Sequence, residues 1–435
     1  MNSPANVHRV ALKPRRALPF FSRHPWVFEG AIDAVTDGIL AGDVVAVEDH
    51  LGRFIAYGLF NPQSKITVRL YSWDQNVPLD DTFWTRRING AIDLRNRLGL
   101  VSSETAGFRT ACGTELLRDS VPLPCPPHLT PDDDVSSHHA CRLIFSEADG
   151  LSGLTVDKYG DWLLVQWSSL ALSKRQDWIL QVLRDRLNPK GIWLRTEKGI
   201  RDAEGLELRD GLIDGQPPPR PLIIVENRVR FAVDLTEGQK TGFFLDQREN
   251  RLRVSELVRG HRVLDVCCYS GGFSLNGLVN GGVREVVALD VSESALELAR
   301  TNAELNGVSD RMRLKRSDCF KGLEELAASG DSFDTVILDP PKLARNRQGL
   351  DSALKGYYSL NRSAMRLLRP GGWLVTCSCS GSVTLEMFQE MLAKAALHEN
   401  RSLQILETRG PAMDHPTSIT CPETVYLKCL ICHVT

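Results

Sequence analysis

Four short apolar runs, each ending at an acid, alternate with amphipathic stretches over positions 261–342 and leave this chain few folds. His261-Arg-Val-Leu-Asp265-Val reads as a buried strand. It runs into Cys267-Cys-Tyr269-Ser-Gly271-Gly272, a small-residue turn that opens a helix. A second strand, Glu285-Val-Val-Ala-Leu-Asp290, ends about 25 residues after Asp265. Met312-Arg-Leu-Lys-Arg-Ser-Asp318-Cys319 and Phe333-Asp-Thr-Val-Ile-Leu-Asp339-Pro340-Pro341-Lys342 complete the set. Strands alternating with helices build a parallel, doubly wound α/β sheet, and such sheets bind ligands outside the carboxyl ends of their strands.

Acids at all four strand ends suit a hydroxyl-rich, cationic ligand better than a bare phosphate, and S-adenosylmethionine has that chemistry. Gly271-Gly272 allows close approach of the backbone. Asp290 is placed to accept from both ribose hydroxyls. Asp318 can take the adenine amino group, and Asp265 can face the methionine end. Tyr269 and Cys319 belong to the same turn and strand end. Gln247, in the polar turn Lys240-Thr241-Gly242-Phe-Phe-Leu-Asp246-Gln247-Arg248, is placed to cover the methionine end. The turn is not G-x-G-x-x-G, which argues against a dinucleotide, and no G-x-x-x-x-G-K-[ST] is present, which excludes a P-loop NTPase.

A formal net charge of −2 means that any affinity for nucleic acid must come from local patches. Eleven cysteines, an odd number scattered through expected strands, fit reduced thiols rather than a disulfide framework. With no secretory signal and no membrane-length apolar run, the expectation is a cytoplasmic protein with no membrane partner. Cys429-Leu-Ile-Cys432-His433 matches a haem-attachment spacing, but it lies inside the run Thr424–Val434, which reads as a final strand. His138-His139-Ala-Cys141 has no second ligand cluster near it in sequence, so no metal is expected.

Residues 1–75 look all-β, with strands at 43–48, 53–58 and 65–71. Arg9, Lys13, Arg15, Arg16 and Arg23 interleave with Phe20, Phe21, His24 and Trp26, the mixture of cations and rings that looped RNA requires. Arg15, Arg16, Arg23 and Trp26, with Arg248, are therefore candidate RNA contacts; solubilising charge over core aromatics is the alternative. Residues 76–138 read as a helix, 81–100, and an aperiodic insertion, 101–137, rich in Pro and Asp, with a few helical residues around 113–118. Residues 139–225 form a mixed module with strands at 162–167 and 191–195, a helix over 172–187 and the stiff linker Gln216-Pro-Pro-Pro-Arg220-Pro. Residues 226–435 form the cofactor domain, entered through a hairpin at 225–235.

Two features bear on the reaction. Asp339-Pro-Pro-Lys342 holds an acid and carbonyls toward a flat ligand. Trp373-Leu-Val-Thr-Cys377-Ser378-Cys379 ends a strand in cysteine. Cytosine C5 is a poor nucleophile until a thiolate adds at C6, and Cys379 and Asp339 fit the roles of thiol and pyrimidine-binding acid. Alternation places Cys377 and Cys379 on one face, with Cys379 nearer the mouth; two small core residues are the competing reading.

Taken together these residues resemble the bacterial 23S rRNA (cytosine-5)-methyltransferases of the large-subunit type I group. His24-Pro-Trp-Val-Phe28 and Gly42-Asp43 resemble that family's PUA module. Arg142-Leu through Glu147-Ala-Asp149-Gly150-Leu resembles its central domain. Thr241-Gly-Phe-Phe-Leu-Asp246-Gln247-Arg248, Asp339-Pro-Pro-Lys342, Ser378-Cys379-Ser380-Gly381 and Asp414-His415-Pro416 resemble its catalytic domain. The resemblance implies a seven-stranded Rossmann-like class I methyltransferase domain, a β-rich PUA domain and a small α+β central domain. It also implies S-adenosylmethionine as donor, a cytosine of large-subunit rRNA as acceptor, Cys379 as attacking thiol, and Asp339 and Lys342 beside it. Better-studied RNA cytosine-5 enzymes carry a second cysteine where Pro340-Pro341 stands here. A homodimer is left open, as are methylation of a ring nitrogen or amino group (guanine N7, for example) without covalent catalysis, and a non-catalytic ribosome-assembly binder.

Overall fold

The computed structural model describes residues 7–101, 139–196, 198–207, 210–236, 242–344 and 347–435. The expected insertion, apart from Val101, lies outside them, as do His138, Lys240 and Thr241. The N-terminal module is a six-stranded sheet in the order Trp26–Val27, Val68–Ser72, Phe54–Phe60, Val44–Glu48, His8–Leu12, Ile32–Val35. It is not all-β: Leu18–Phe21 makes one helical turn, started by Pro19 near its N-terminus and anchored by buried Phe20. The helix Asp81–Arg97 is capped by Asp80, which accepts from Phe83 N at 2.8 Å. Its buried stripe of Phe83, Trp84, Ile88 and Ile92 joins Tyr57, Leu59 and Tyr71 of the first sheet to Leu143, Leu154 and Trp167 of the next, in one core.

The central module is a five-stranded sheet, Gly211–Gly215, Gly191–Leu194, Trp162–Trp167, Leu154–Tyr159, Ala140–Phe145, of which only the second and third were anticipated. The helix expected over 172–187 is two, Leu170–Ser173 and Gln176–Leu187. The break falls at Arg175, where the backbone leaves helical geometry and the guanidinium donates to the carbonyls of Gly42 and Ala171.

The hairpin Leu222–Glu226/Val229–Val233 turns through Asn227 and Arg228, both left-handed, a two-residue turn that matches strand twist. It leads into a seven-stranded sheet: Met312–Arg316, Glu285–Asp290, Arg262–Val266, Phe333–Leu338, Leu368–Ser378, Lys428–Val434, Leu403–Arg409. The first five are parallel; Lys428–Val434 runs antiparallel to both its neighbours. Strand order reverses at Arg262–Val266, so the crevice for a ligand opens at its carboxyl end. Among the described residues no helix is long and apolar enough to cross a membrane.

Candidate active site

The turn after Arg262–Val266 is built from left-handed residues: Cys267 (φ 62°), Tyr269 (φ 50°) and Gly271 (φ 83°). Only the last is a glycine, so the turn stores backbone strain of the kind found at ligand sites. Gly271 begins the helix Gly272–Val279 and, as a glycine, offers no side-chain cap; of the first-turn N–H groups, that of Ser274 is taken by Asp265. Asp265, 1% exposed, accepts from Ser274 N at 3.0 Å and Ser274 Oγ at 2.6 Å through Oδ2. Its Oδ1 is buried without a partner, and burial pushes the carboxyl up to about 6.

Asp290 is fixed at the next strand end, accepting from Tyr269 N and Ser292 N, each at 2.9 Å. Tyr269 in turn donates its hydroxyl to Gly242 O at 3.1 Å and packs edge-on against Phe244. Asp318 is exposed and caps the helix Cys319–Ala328 through Oδ1, accepting from Phe320 N and Lys321 N. The Cys319 and Cys267 thiols hydrogen-bond; that bond raises Cys267 and lowers Cys319. An orphaned carboxylate oxygen and acids rather than a basic nest fit an adenosyl sulfonium donor, whose carboxylate suits the N-terminus of the helix Gly272–Val279.

Asp339 is half-buried just past Phe333–Leu338, pushed up to about 7 by burial and by the Asp246 charge, against the pull of Gln247 and Arg251. Gln247 is 2% exposed; its Oε1 accepts from Asn250, while Nε2 is buried without a full hydrogen-bond partner. Asp246 accepts from the Tyr426 hydroxyl at 2.7 Å. Cys379 is half-buried, with Sγ 3.9 Å from Pro340 O, so the thiol and the Asp339-Pro-Pro-Lys342 segment share one mouth. Lys342 is exposed there.

Cys377 does not join them. It lies at 0% exposure opposite Cys429 on the neighbouring strand, and that contact together with burial raises its thiol well above the ordinary range. The ladder ends at Ser378, so Cys379 escapes the alternation that would have paired the two.

Arg15, Arg16 and Arg23 are exposed, while Trp26 is half-buried and donates Nε1 to Glu147 at 2.9 Å, linking the first two modules. Arg248 is apart from them: its guanidinium forms a buried ion pair with Asp414, which fixes it in the protein rather than presenting it to RNA. His24, Cys421 and Glu423 bring one ligand-type atom each within 4.8 Å, and Glu423 already accepts from Cys421 Sγ at 3.4 Å.

Three side chains of the site escaped the sequence reading. Lys428, 6% exposed on the last strand, stands beside Cys379. Arg251 forms a buried bidentate pair with Glu226 and crosses the Gly272 Cα, where a Cβ would meet its Cδ at 3.0 Å. Tyr426 holds Asp246. Lysine inside an otherwise apolar strand, Tyr-Leu-Lys428-Cys-Leu-Ile, was a signal available for the first.

Residues 212–419 match the family described as S-adenosylmethionine-dependent methyltransferase, and residues 10–73 match the PUA-like domain family. With the sheet and crevice above, they define an S-adenosylmethionine-dependent methyltransferase that carries a PUA-like domain. A ribosomal RNA large subunit methyltransferase I of Tolumonas auensis is 38% identical over 97% of this chain and 98% of its own length. That of Erwinia tasmaniensis is 35% identical over 98% and 99%. The chain belongs to the ribosomal RNA large subunit methyltransferase I family. An S-adenosylmethionine-dependent methyltransferase of Streptococcus mutans shares the fold, with a TM-score of 0.76 at 19% identity over 98% of this chain and 99% of its own. A second methyltransferase structure, complexed with SAH, has a TM-score of 0.78 at 19% identity, over 98% and 99%.

Proposed function

We propose that this protein methylates C5 of a cytosine in large-subunit ribosomal RNA through a covalent bond from Cys379 to C6, acting in the cytoplasm. When bound, S-adenosylmethionine supplies a methyl group on positively charged sulfur. Asp290 holds the ribose hydroxyls, Asp265 Oδ1 the methionine ammonium, and Asp318 the adenine amino group; Tyr269, Cys319 and the Gly271-Gly272 backbone shape the walls.

The observation that carries the reading is the shared mouth of Cys379 and Asp339. A carboxyl that titrates near 7 keeps a proton available for cytosine N3. Protonating N3 drains electron density from C6, where the Cys379 thiolate adds. The pair released toward C5 makes that carbon the nucleophile that takes the methyl group from positively charged sulfur. Loss of the C5 proton then re-forms the C5–C6 double bond, expels the Cys379 thiolate and lets N3 return its proton to Asp339. Gln247 Nε2, which faces Asp339 without a full hydrogen-bond partner, is a donor available to the base.

RNA carrying 5-fluorocytosine tests this directly, because fluorine at C5 cannot leave as a proton. The wild-type protein with S-adenosylmethionine should form a denaturant-stable adduct with the substituted rRNA, and Cys379→Ala should form none. Full methyl transfer by Cys379→Ala would move the assignment to a ring nitrogen or amino group handled by Asp339-Pro-Pro-Lys342. Absence of S-adenosylmethionine binding with rRNA binding intact would favour the assembly role.

A further inference from the structure

We propose a second binding site, separate from the methyl-donor crevice, that grips the phosphodiester backbone of single-stranded or looped RNA in the cleft lined by Arg23, Arg86 and Arg87. The inference rests on the ribosomal RNA reading above and adds where the strand is held. The cleft measures about 650 Å³, within the range of ligand sites, and lies where the first sheet, the helix Asp81–Arg97, the segment 147–152 and the loop around Ser418 meet.

Its charge is unbalanced. Among the described residues Arg23, Arg86 and Arg87 make no ion pair, and the one hydrogen bond of the Arg87 side chain goes to Tyr71 O at 3.3 Å. The two acids in the wall are already engaged. Glu147 Oε1 takes Arg69, Trp26 and Ser152, and Asp149 takes Arg95 and Phe145 N. Burial and the neighbouring Arg86 and Arg23 charges lower the Arg87 guanidinium, so the three cations repel one another until an anion arrives.

The walls are shaped for a ligand as well as charged. Gly90 faces the cleft from inside a 17-residue helix, where glycine weakens the helix, yet a Cβ there would meet nothing within 4 Å. Packing does not require it, and the missing side chain leaves this wall of the cleft open to a ligand backbone. Trp73, whose indole N–H is tied to Phe20 O at 2.8 Å, offers a ring surface, and ring plus guanidinium is the pairing that holds single-stranded RNA rather than free phosphate. On the far side, the Ser418 and Thr420 hydroxyls hydrogen-bond to each other at 3.0 Å and keep one O–H to donate outward.

The test is binding of a large-subunit rRNA fragment by the full chain across a salt series, with Arg86→Gln/Arg87→Gln and, separately, Gly90→Glu. Gly90→Glu places a carboxylate in open space and carries little folding risk; circular dichroism and calorimetric S-adenosylmethionine binding check both variants. Each variant should bind RNA about tenfold more weakly, and the double arginine variant should lose about 1.4 from the salt slope, about 0.7 for each phosphate no longer neutralised. Wild-type RNA binding with both variants unchanged overturns the cleft while leaving the rRNA reading intact. Variants that lose binding of inorganic pyrophosphate but keep RNA affinity show a free-anion site and overturn it too. Wild-type protein that binds S-adenosylmethionine but not rRNA removes both readings.

Discussion

The Lys428 ammonium donates to the main-chain carbonyl of Ser380 at 2.7 Å, one residue beyond Cys379. A second bond runs to Tyr426 O at 2.9 Å, so the cation is pinned by two carbonyls. Burial lowers its titration to about 8, and a thiolate at Cys379 opposes that shift. Attraction of this kind acts both ways, so the cation favours the thiolate. Lys428→Met keeps the stem and removes the charge. Iodoacetamide alkylation of Cys379, followed by peptide mass spectrometry at pH 7, should slow by about tenfold, and its pH midpoint should rise by about one unit. An unchanged profile would exclude Lys428 as a source of thiol activation.

Asp339 predicts a pH dependence of opposite character. Its carboxyl titrates near 7 in the folded protein against an ordinary 3.8, with burial as the main cause. The folded state therefore holds an extra proton between about 4 and 7, and stability falls as pH rises through that window. Asp339→Asn removes this slope. Melting curves should show the variant gaining on wild type at pH 8 and not at pH 4, while methyl transfer drops by about 10²–10⁴. Equal destabilisation at both pH values would mean the carboxyl is ionised and partnered when folded.

The cofactor sheet was legible because its strands are short, apolar and closed by acids: 262–266, 285–290 and 333–338 lie where the pattern placed them. Trp162–Trp167 matched as a short apolar run alone. What escaped depends on partners distant in sequence. The break at Arg175 is set by Gly42 O, 133 positions away. The separation of Cys377 from Cys379 depends on where a ladder shared with Lys428–Val434 stops. Lys428 looks misplaced in its strand until the carbonyl of Ser380 is brought to it by the fold. Arg248 reads as a free cation because Asp414 lies 166 positions downstream.

Asp414 gathers contacts from three segments: its carboxylate accepts from Arg248, Arg142 N and His415 Nδ1, and its carbonyl accepts from Arg95 at 2.7 Å. Although burial opposes ionisation, the His415 and Arg248 charges hold the carboxyl well below 3.8. Its contribution is present above about pH 4 and is lost as pH falls below that value. Asp414→Asn strands Arg248 without a counter-charge and should cost about 3–5 kcal/mol at pH 7 by urea denaturation. The gap from wild type should narrow in acid. A gap that stays constant down to pH 2 would assign the cost to lost packing instead.

Gly271 and Gly260 have similar backbones, with φ of +83° and +73°, but different surroundings. A Cβ on Gly271 would stand 3.1 Å from Met312 Cε, in the turn that leads from Asp265 to the N-terminus of the helix Gly272–Val279; a Cβ on Gly260 would meet nothing within 4 Å. Alanine at either position takes on a conformation that costs about 1–2 kcal/mol. Both variants should therefore lose comparable thermal stability. Only Gly271→Ala should also weaken S-adenosylmethionine, by about tenfold in calorimetric Kd, because its turn must shift away from the ligand. Equal affinities in the two variants would take the Gly271 turn out of the cofactor site.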